Sequence, residues 1–328
     1  MTPGRWRGSL RSSAASSRGR RIASVALLVL VAGIVALVGA LVARGDPSRS
    51  AGVVAAGTVA TSSGGADPSV GTGGHRGPVT VTTEPVEPAG DAPELPATLP
   101  AAGAAVHAPI LMYHYVDDEP PTEMGPYAAS LTVATGEFRA QAAYLAEHGV
   151  ETIDFAELYR AMAGISALPT PRVLLTFDDG GADLYTHAFP ILKQYGLTAT
   201  FFIITSEIGK PGYLTWAQLA EMREAGMSVQ SHSATHPDLP SCTDERLQTE
   251  LRESKRAIEQ SLGEATFVLC YPAGSYDQRV QEAARDAGYL LAVTTDPGKE
   301  SSPATPMVLP RVRVQPGLSV GQFAGLIE

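Results

Sequence analysis

Two stretches of this 328-residue chain hold side chains that can do chemistry together. The apolar run RVLLTF, residues 172–177, leads straight into Asp178-Asp179-Gly180-Gly181. Adjacent carboxylates at the end of a buried strand are costly unless a cation compensates them. A plain turn built from Asp and Gly is the alternative reading. The run MSVQS is followed by His232-Ser233-Ala234-Thr235-His236. Histidines four apart face one ion if that stretch is helical or turned. Alone this spacing is a weak signal; joined to an aspartate it makes a two-histidine, one-carboxylate set. Three protein ligands leave a position open for water, the pattern of a hydrolytic zinc site rather than a closed structural one. Neighbouring strand residues point opposite ways, so one aspartate can serve the ion while the other stays free to take a proton.

A frame must bring these strand ends together. Strand patterns fall at 109–115, 149–153, 172–177, 198–204, 227–232, 266–271, 290–295 and 312–314, with helical patterns between most of them. Thr215 and Gln218 have the spacing of a capping box, and Gly149, Gly196, Gly226, Gly263 and Gly288 stand where helices end. Apolar strands alternating with helices predict a parallel sheet covered on its outer face. About eight such units favour an α/β fold of the (β/α) barrel type over an open sheet. Chemistry in that architecture sits at the carboxyl ends of the strands, where both clusters lie.

With these motifs in hand, the chain resembles the polysaccharide deacetylase family, also called the NodB-homology or carbohydrate esterase family 4. TFDDG and SHSATH look like its first two motifs, and HAFPILKQYGLTATFFI, YLTWAQLAEMREAGMSVQ, YPAGSYD and AARDAGY continue the likeness over roughly residues 108–315. The resemblance implies a distorted (β/α) barrel and metal-dependent removal of acetyl groups from N-acetylated sugars, or O-acetyl groups in some members. It implies Asp178 as the catalytic base and Asp179, His232 and His236 as metal ligands, with zinc the expected ion. It also implies that Ala273, after Pro272, offers its backbone N–H to the oxyanion, a role independent of side-chain identity.

Three departures stand out. Cys270 occupies the place of the arginine that usually holds the base; Arg311 can supply that charge, a structural or exposed arginine being the alternative. Ala273 replaces the usual aromatic. No histidine follows His236, although the family's general acid normally comes last. Members resembling exported poly-N-acetylglucosamine deacetylases instead have the acid on a first strand ahead of the aspartates. PILMYHYV, residues 109–116, resembles that strand, and His114 matches its histidine. Imidazole suits protonation of a leaving amine near neutral pH. His107, His148 and His187 read as surface or packing residues, and Trp216 as a packing residue.

Residues 1–21 carry six arginines and no acid, and residues 22–43 are uncharged and almost wholly apolar. About 20 such residues span a bilayer in a helix, so the segment reads as a signal anchor, with a cleaved signal as the alternative. The basic flank predicts a single-pass protein with its catalytic domain outside the cell. Residues 44–105 are rich in Gly, Ala, Pro, Ser and Thr and read as a flexible, disordered linker; residues 106–328 form the deacetylase domain. Removing the seven arginines of residues 1–44, which hold no acid, from the net charge of −10 leaves −17. That charge disfavours nucleic acid as a partner, and no obligatory protein partner is evident. Cys242 and Cys270 permit one disulfide in an oxidising compartment. The expected function is metal-dependent N-deacetylation of extracellular polysaccharide containing N-acetylglucosamine. The alternatives are a noncatalytic wall-binding module of the same fold and an O-acetyl esterase.

Overall fold

Period-two burial builds a ring of strands with two apolar faces. The computed structural model describes residues 95–100, 103–121 and 125–328. Among these, β1 (Val106–His107), β2 (Ile110–Tyr113), β3 (Tyr115–Val116), β4 (Thr132–Val133), β5 (Glu151–Thr152) and β6 (Arg172–Phe177) come first. Then follow β7 (Thr200–Ile203), β8 (Ser228–Ser231), β9 (Val268–Cys270), β10 (Leu291–Pro297), β11 (Glu300–Ser301) and β12 (Leu309–Arg313). Seven strands pair side by side in the order β2-β12-β10-β9-β8-β7-β6, and β2 also pairs with β6, which closes the ring. Every pairing in it is parallel. The two-residue β5 borders the start of β6 and leaves its end to β2. The barrel is distorted: β8 meets β9 at one residue pair, and the β10–β12 register shifts between Val293 and Pro297.

Along β6 the side chains alternate between the two faces. Val173, Leu175 and Phe177 pack outward with the helices, beside Phe138, Leu192 and Leu219. Leu174 turns inward with Ile110, Phe202, Cys270, Val293 and Leu309. At the carboxyl ends an aromatic stack fixes the register: Phe177 lies 5.1 Å from Tyr113 and 5.0 Å from Phe201, ring centre to ring centre. Offset aromatic stacking of this kind adds stability beyond the area it buries. The chemistry-bearing residues leave the strands immediately after this layer.

The helices start and stop as the sequence predicts. Thr215 Oγ1 accepts from Gln218 N–H and Gln218 Oε1 accepts from Thr215 N–H, a complete capping box. Gly196 and Gly263 end their helices in the left-handed region, with φ of 65° and 63°. One helical pattern is interrupted. Leu184–Ala188 is a π turn that passes into the α-helix Phe189–Tyr195. Pro190 cannot donate a backbone hydrogen bond, and a widened turn before it accommodates the loss.

The fold class reduces to the barrel. The transmembrane helix expected over residues 22–43 lies outside the described residues, and no helix among those described is long and apolar enough to cross a membrane. The membrane partnership through 22–43, the signal anchor and the single-pass localisation with an extracellular domain rested on that segment, and they are withdrawn with it. Most of the expected linker, residues 44–105, is likewise outside the described residues. Its last part is not loose: Leu95 and Leu99 pack against the inner core, and Tyr159 O–H donates to the Pro96 carbonyl.

Candidate active site

The site begins where β6 ends. Asp178 continues the inward row of Leu174 and Thr176, and its N–H donates to the Tyr113 carbonyl at 3.0 Å. Its carboxylate is buried and gripped from β12, whose inward residue is Arg311. That guanidinium donates to Asp178 Oδ1 at 2.8 Å and Oδ2 at 2.7 Å. Its remaining donors reach the Thr294 carbonyl, Thr176 Oγ1 and Cys270 Sγ. Burial pushes the Asp178 carboxyl up, but the Arg311 charge outweighs it and holds the group down at about 2. Cys270, inward on β9, is a neighbour of the pair. Its Sγ lies 3.6 Å from Asp178 Oδ2, and burial pushes the thiol up, so it remains protonated.

Asp179 faces elsewhere because the backbone turns. Its φ is 72°, and that of Gly180 is 82°. Its Oδ2 accepts the Tyr115 O–H at 2.6 Å. Its Oδ1 faces His232 Nε2 at 3.5 Å and His236 Nε2 at 3.8 Å. These separations are too long for hydrogen bonds, yet three donor groups converge there within 4.8 Å of one another.

The two histidines reach this point by a turn, not a helix. Ser233 and His236 both have positive φ, 65° and 56°. His236 N–H donates to Ser233 Oγ, while Thr235 donates through N–H and Oγ1 to the Glu250 carboxylate. His232 Nδ1 lies 2.8 Å from the Cys270 carbonyl, which accepts its N–H in the tautomer that leaves Nε2 with a lone pair toward Asp179. The non-glycine residues with positive φ among those described are Asp179, Ser233, His236 and Ala273, all at this site. Such conformations cost about 1–3 kcal/mol each and persist where the surroundings enforce them.

The donor chemistry fits a divalent ion. Asp179, His232 and His236 bring one carboxylate and two imidazoles to one point, a borderline-soft set. Asp178, His232 and Cys270 form a second convergent group. There, however, both carboxylate oxygens are engaged by Arg311 and the sulfur is a protonated thiol.

His114 follows β2 directly. Its Nε2 lies 3.9 Å from Asp178 Oδ2. Burial lowers its pKa, against the opposing pull of Asp178 and Asp179. Ala273, with φ of 53° in the Pro272–Gly274 turn, lines the same cleft of about 390 Å³.

The residues set aside as surface or packing are elsewhere. His107 pairs with Glu300, His148 stacks on Tyr144, His187 stands 3.8 Å from Asp117, and Trp216 packs against the outer core. Cys242 and Cys270 are both free thiols. Sequence reasoning passed over Tyr115, the hydroxyl on Asp179. Its only signal was its position one residue after His114.

A family profile for polysaccharide deacetylase matches residues 166–292. The Bacillus subtilis (strain 168) protein YxkH, classed by name among polysaccharide deacetylases, is 36% identical over 220 residues, 67% of this chain and 76% of that protein. A chitooligosaccharide deacetylase of Rhizobium leguminosarum is 32% identical over 155 residues, 46% of this chain and 66% of its own length. The Streptococcus pyogenes deacetylase PplD, solved in complex with acetate, superposes with a TM-score of 0.64 at 34% identity, covering 69% of this chain and 100% of that one. The chain belongs to the polysaccharide deacetylase family and is a metal-assisted N-deacetylase-type hydrolase of N-acetylated carbohydrate.

Proposed function

We propose that the substrate is a polysaccharide containing N-acetylglucosamine, and that Asp178 and His114 perform its N-deacetylation beside an ion held by Asp179, His232 and His236. The observation that supports this most is the division between adjacent carboxylates: Arg311 claims Asp178, while Asp179 turns to the two imidazoles. A bound divalent ion, zinc by donor preference, would supply Lewis acidity toward the acetamide carbonyl and toward water.

The chain's own residues supply the remainder. Asp178, fixed in direction and ionised, takes a proton from the water that adds to the carbonyl carbon. The Ala273 N–H donates to the oxygen on which negative charge develops. His114 donates a proton to the nitrogen as the C–N bond breaks, leaving acetate and a free amino sugar. Because His114 directly follows the strand ahead of the aspartates, we read the motif order as the rearranged one of poly-N-acetylglucosamine deacetylases. The Rhizobium relative's name supports an amino-sugar substrate, and the acetate in the Streptococcus complex supports acetyl release.

Acetate release from N-acetylglucosamine oligomers, with defined metals added back to chelated protein, tests the reading. Wild type with zinc should turn over, and Asp178→Asn should not. Metal-loaded protein that binds such oligomers yet frees no acetate would be a binding module instead.

A further inference from the structure

The inward row of β12 runs Leu309, Arg311, Arg313. Leu309 is in the inner core and Arg311 holds Asp178. Arg313 has no such employment. It is partly buried, it lines the catalytic cleft, and among the described residues its guanidinium makes no hydrogen bond or ion pair. It stands near enough to His114 for its charge to bear on that imidazole.

A partly buried guanidinium that has lost water needs a counter-charge or a set of acceptors. The obvious candidates are already engaged, Asp178 by Arg311 and Asp179 by Tyr115 and the histidines. Thr295, on β10 where it continues the inward row of Leu291 and Val293, lines the same cleft as Arg313. Its side chain is held against Gly274, where any Cβ would collide with it. Its hydroxyl has no hydrogen-bond partner among the described residues. The cleft therefore offers a fork of charged donors and a fixed hydroxyl beside the reacting centre. A neutral N-acetylated sugar presents only hydroxyl and amide groups and gives a full charge nothing to neutralise.

We infer that Arg313 and Thr295 form an anion subsite, which selects an N-acetylated glycan bearing a carboxylate or phosphate on, or next to, the reacting sugar. The inference rests on the deacetylase reading above and extends it to substrate charge. Guanidinium binds either group through paired N–H donors, so the source is left to the experiment.

Three probes separate the outcomes: neutral chitotetraose, a tetrasaccharide alternating glucuronate with N-acetylglucosamine, and a chitotetraose carrying 6-phosphate. Wild type with zinc should favour one charged oligomer over the neutral one, mainly through KM, and 0.5 M salt should erode that preference. Whichever charged probe is favoured identifies the source. Arg313→Gln should lower the charged-to-neutral ratio of kcat/KM about tenfold, and Arg313→Lys should restore part of it. Equilibrium binding of the same probes to metal-free protein should show the same ordering, a readout independent of turnover. The inference is overturned if wild type ignores substrate charge in both assays, or if Arg313→Gln lowers all three substrates equally. It is also overturned if the variant changes only inhibition by free acetate, which would make Arg313 a product contact. Absence of acetate release from every probe, with charge-dependent binding intact, would refute the deacetylase reading and leave the subsite standing.

Discussion

The barrel has a cavity at each end, alike in size and different in chemistry. The catalytic cleft encloses about 390 Å³, and a pocket near the entries to β7, β8 and β9 encloses about 370 Å³. Each contains a carboxylate near an arginine, Asp178 buried and Glu264 partly so. At the entry end Glu264 accepts from Ser228 Oγ, Val229 N–H and Gln230 Nε2, with Arg223 at 3.8 Å. Apart from Arg223, its neighbours are neutral donors of the strand that it caps. At the exit end the ligand atoms of Asp179, His232 and His236 face one another at distances too long for hydrogen bonds. Positive-φ non-glycine residues are at the exit end and absent from the entry pocket. Volume does not distinguish a site from a structural hollow; uncommitted donors on an enforced backbone do.

The largest test of this contrast removes one carboxylate from each end. Asp178→Asn should lower acetate release by roughly 10³-fold or more, by loss of the proposed general base and its anchoring. Glu264→Gln should leave kcat within about twofold and show its effect in thermal stability instead. Comparable losses of turnover in the two variants would erase the distinction. Next in size is Arg311→Met, which leaves Asp178 buried without its partner. It should cost about 3–5 kcal/mol in a denaturant titration and reduce turnover as well.

Tyr115→Phe should be milder. Loss of the hydroxyl on Asp179 should weaken zinc affinity about 10-fold in a competition assay with a chelator, with little change in melting temperature of the metal-free protein. The smallest effects are in pH dependence, and they have opposite signs at the two ends. Asp178 is held at about 2 when folded, against about 3.9 unfolded. The unfolded chain binds more protons in that window, so Asp178 stabilises above about pH 4, and this is lost as pH falls through 2. Glu264 is raised by burial. From about pH 4.3 upward the folded chain keeps its proton while the unfolded chain has lost it, so stability declines as pH rises. Glu264→Gln should remove that decline, measured by denaturant midpoint across pH, while Asp178→Asn removes the acid-side rise.

Much of this was legible in the sequence, for identifiable reasons. The run RVLLTF and most of its counterparts announced themselves because strands buried on both faces are largely apolar; the expected strand 149–153 shrinks to β5, with Glu151 exposed. Asp178, Asp179, His232 and His236 were visible as ionisable residues at the ends of such runs. Arg311 was visible only as one of two readings, since its partner is 133 residues away in sequence and only the ring closure brings the strands together. The turn that lets His232 and His236 converge has left-handed residues in it, and nothing in Ser-Ala-Thr-His dictates them; Glu250, from a later helix, imposes the loop. Tyr115 and Arg313 fall in the same class, being ordinary strand residues until the inward and outward rows are known. The apolar segment 22–43 had the composition of a membrane span, but composition does not establish a helix.

The closure of the ring also says when the protein can work. His114 directly follows the first strand of the barrel and Arg311 is on the last, and these strands are paired, Leu111 beside Val312, roughly 200 residues apart along the chain. Contacts of such long sequence separation form late and slowly. A chain that has collapsed, formed its helices and zipped β6 to β10 still lacks both His114, the proposed proton donor, and the Arg311 clamp on Asp178, the proposed base. Recovery of acetate release during refolding should therefore lag behind recovery of helical signal, with the enzyme reporting the last join in its own barrel.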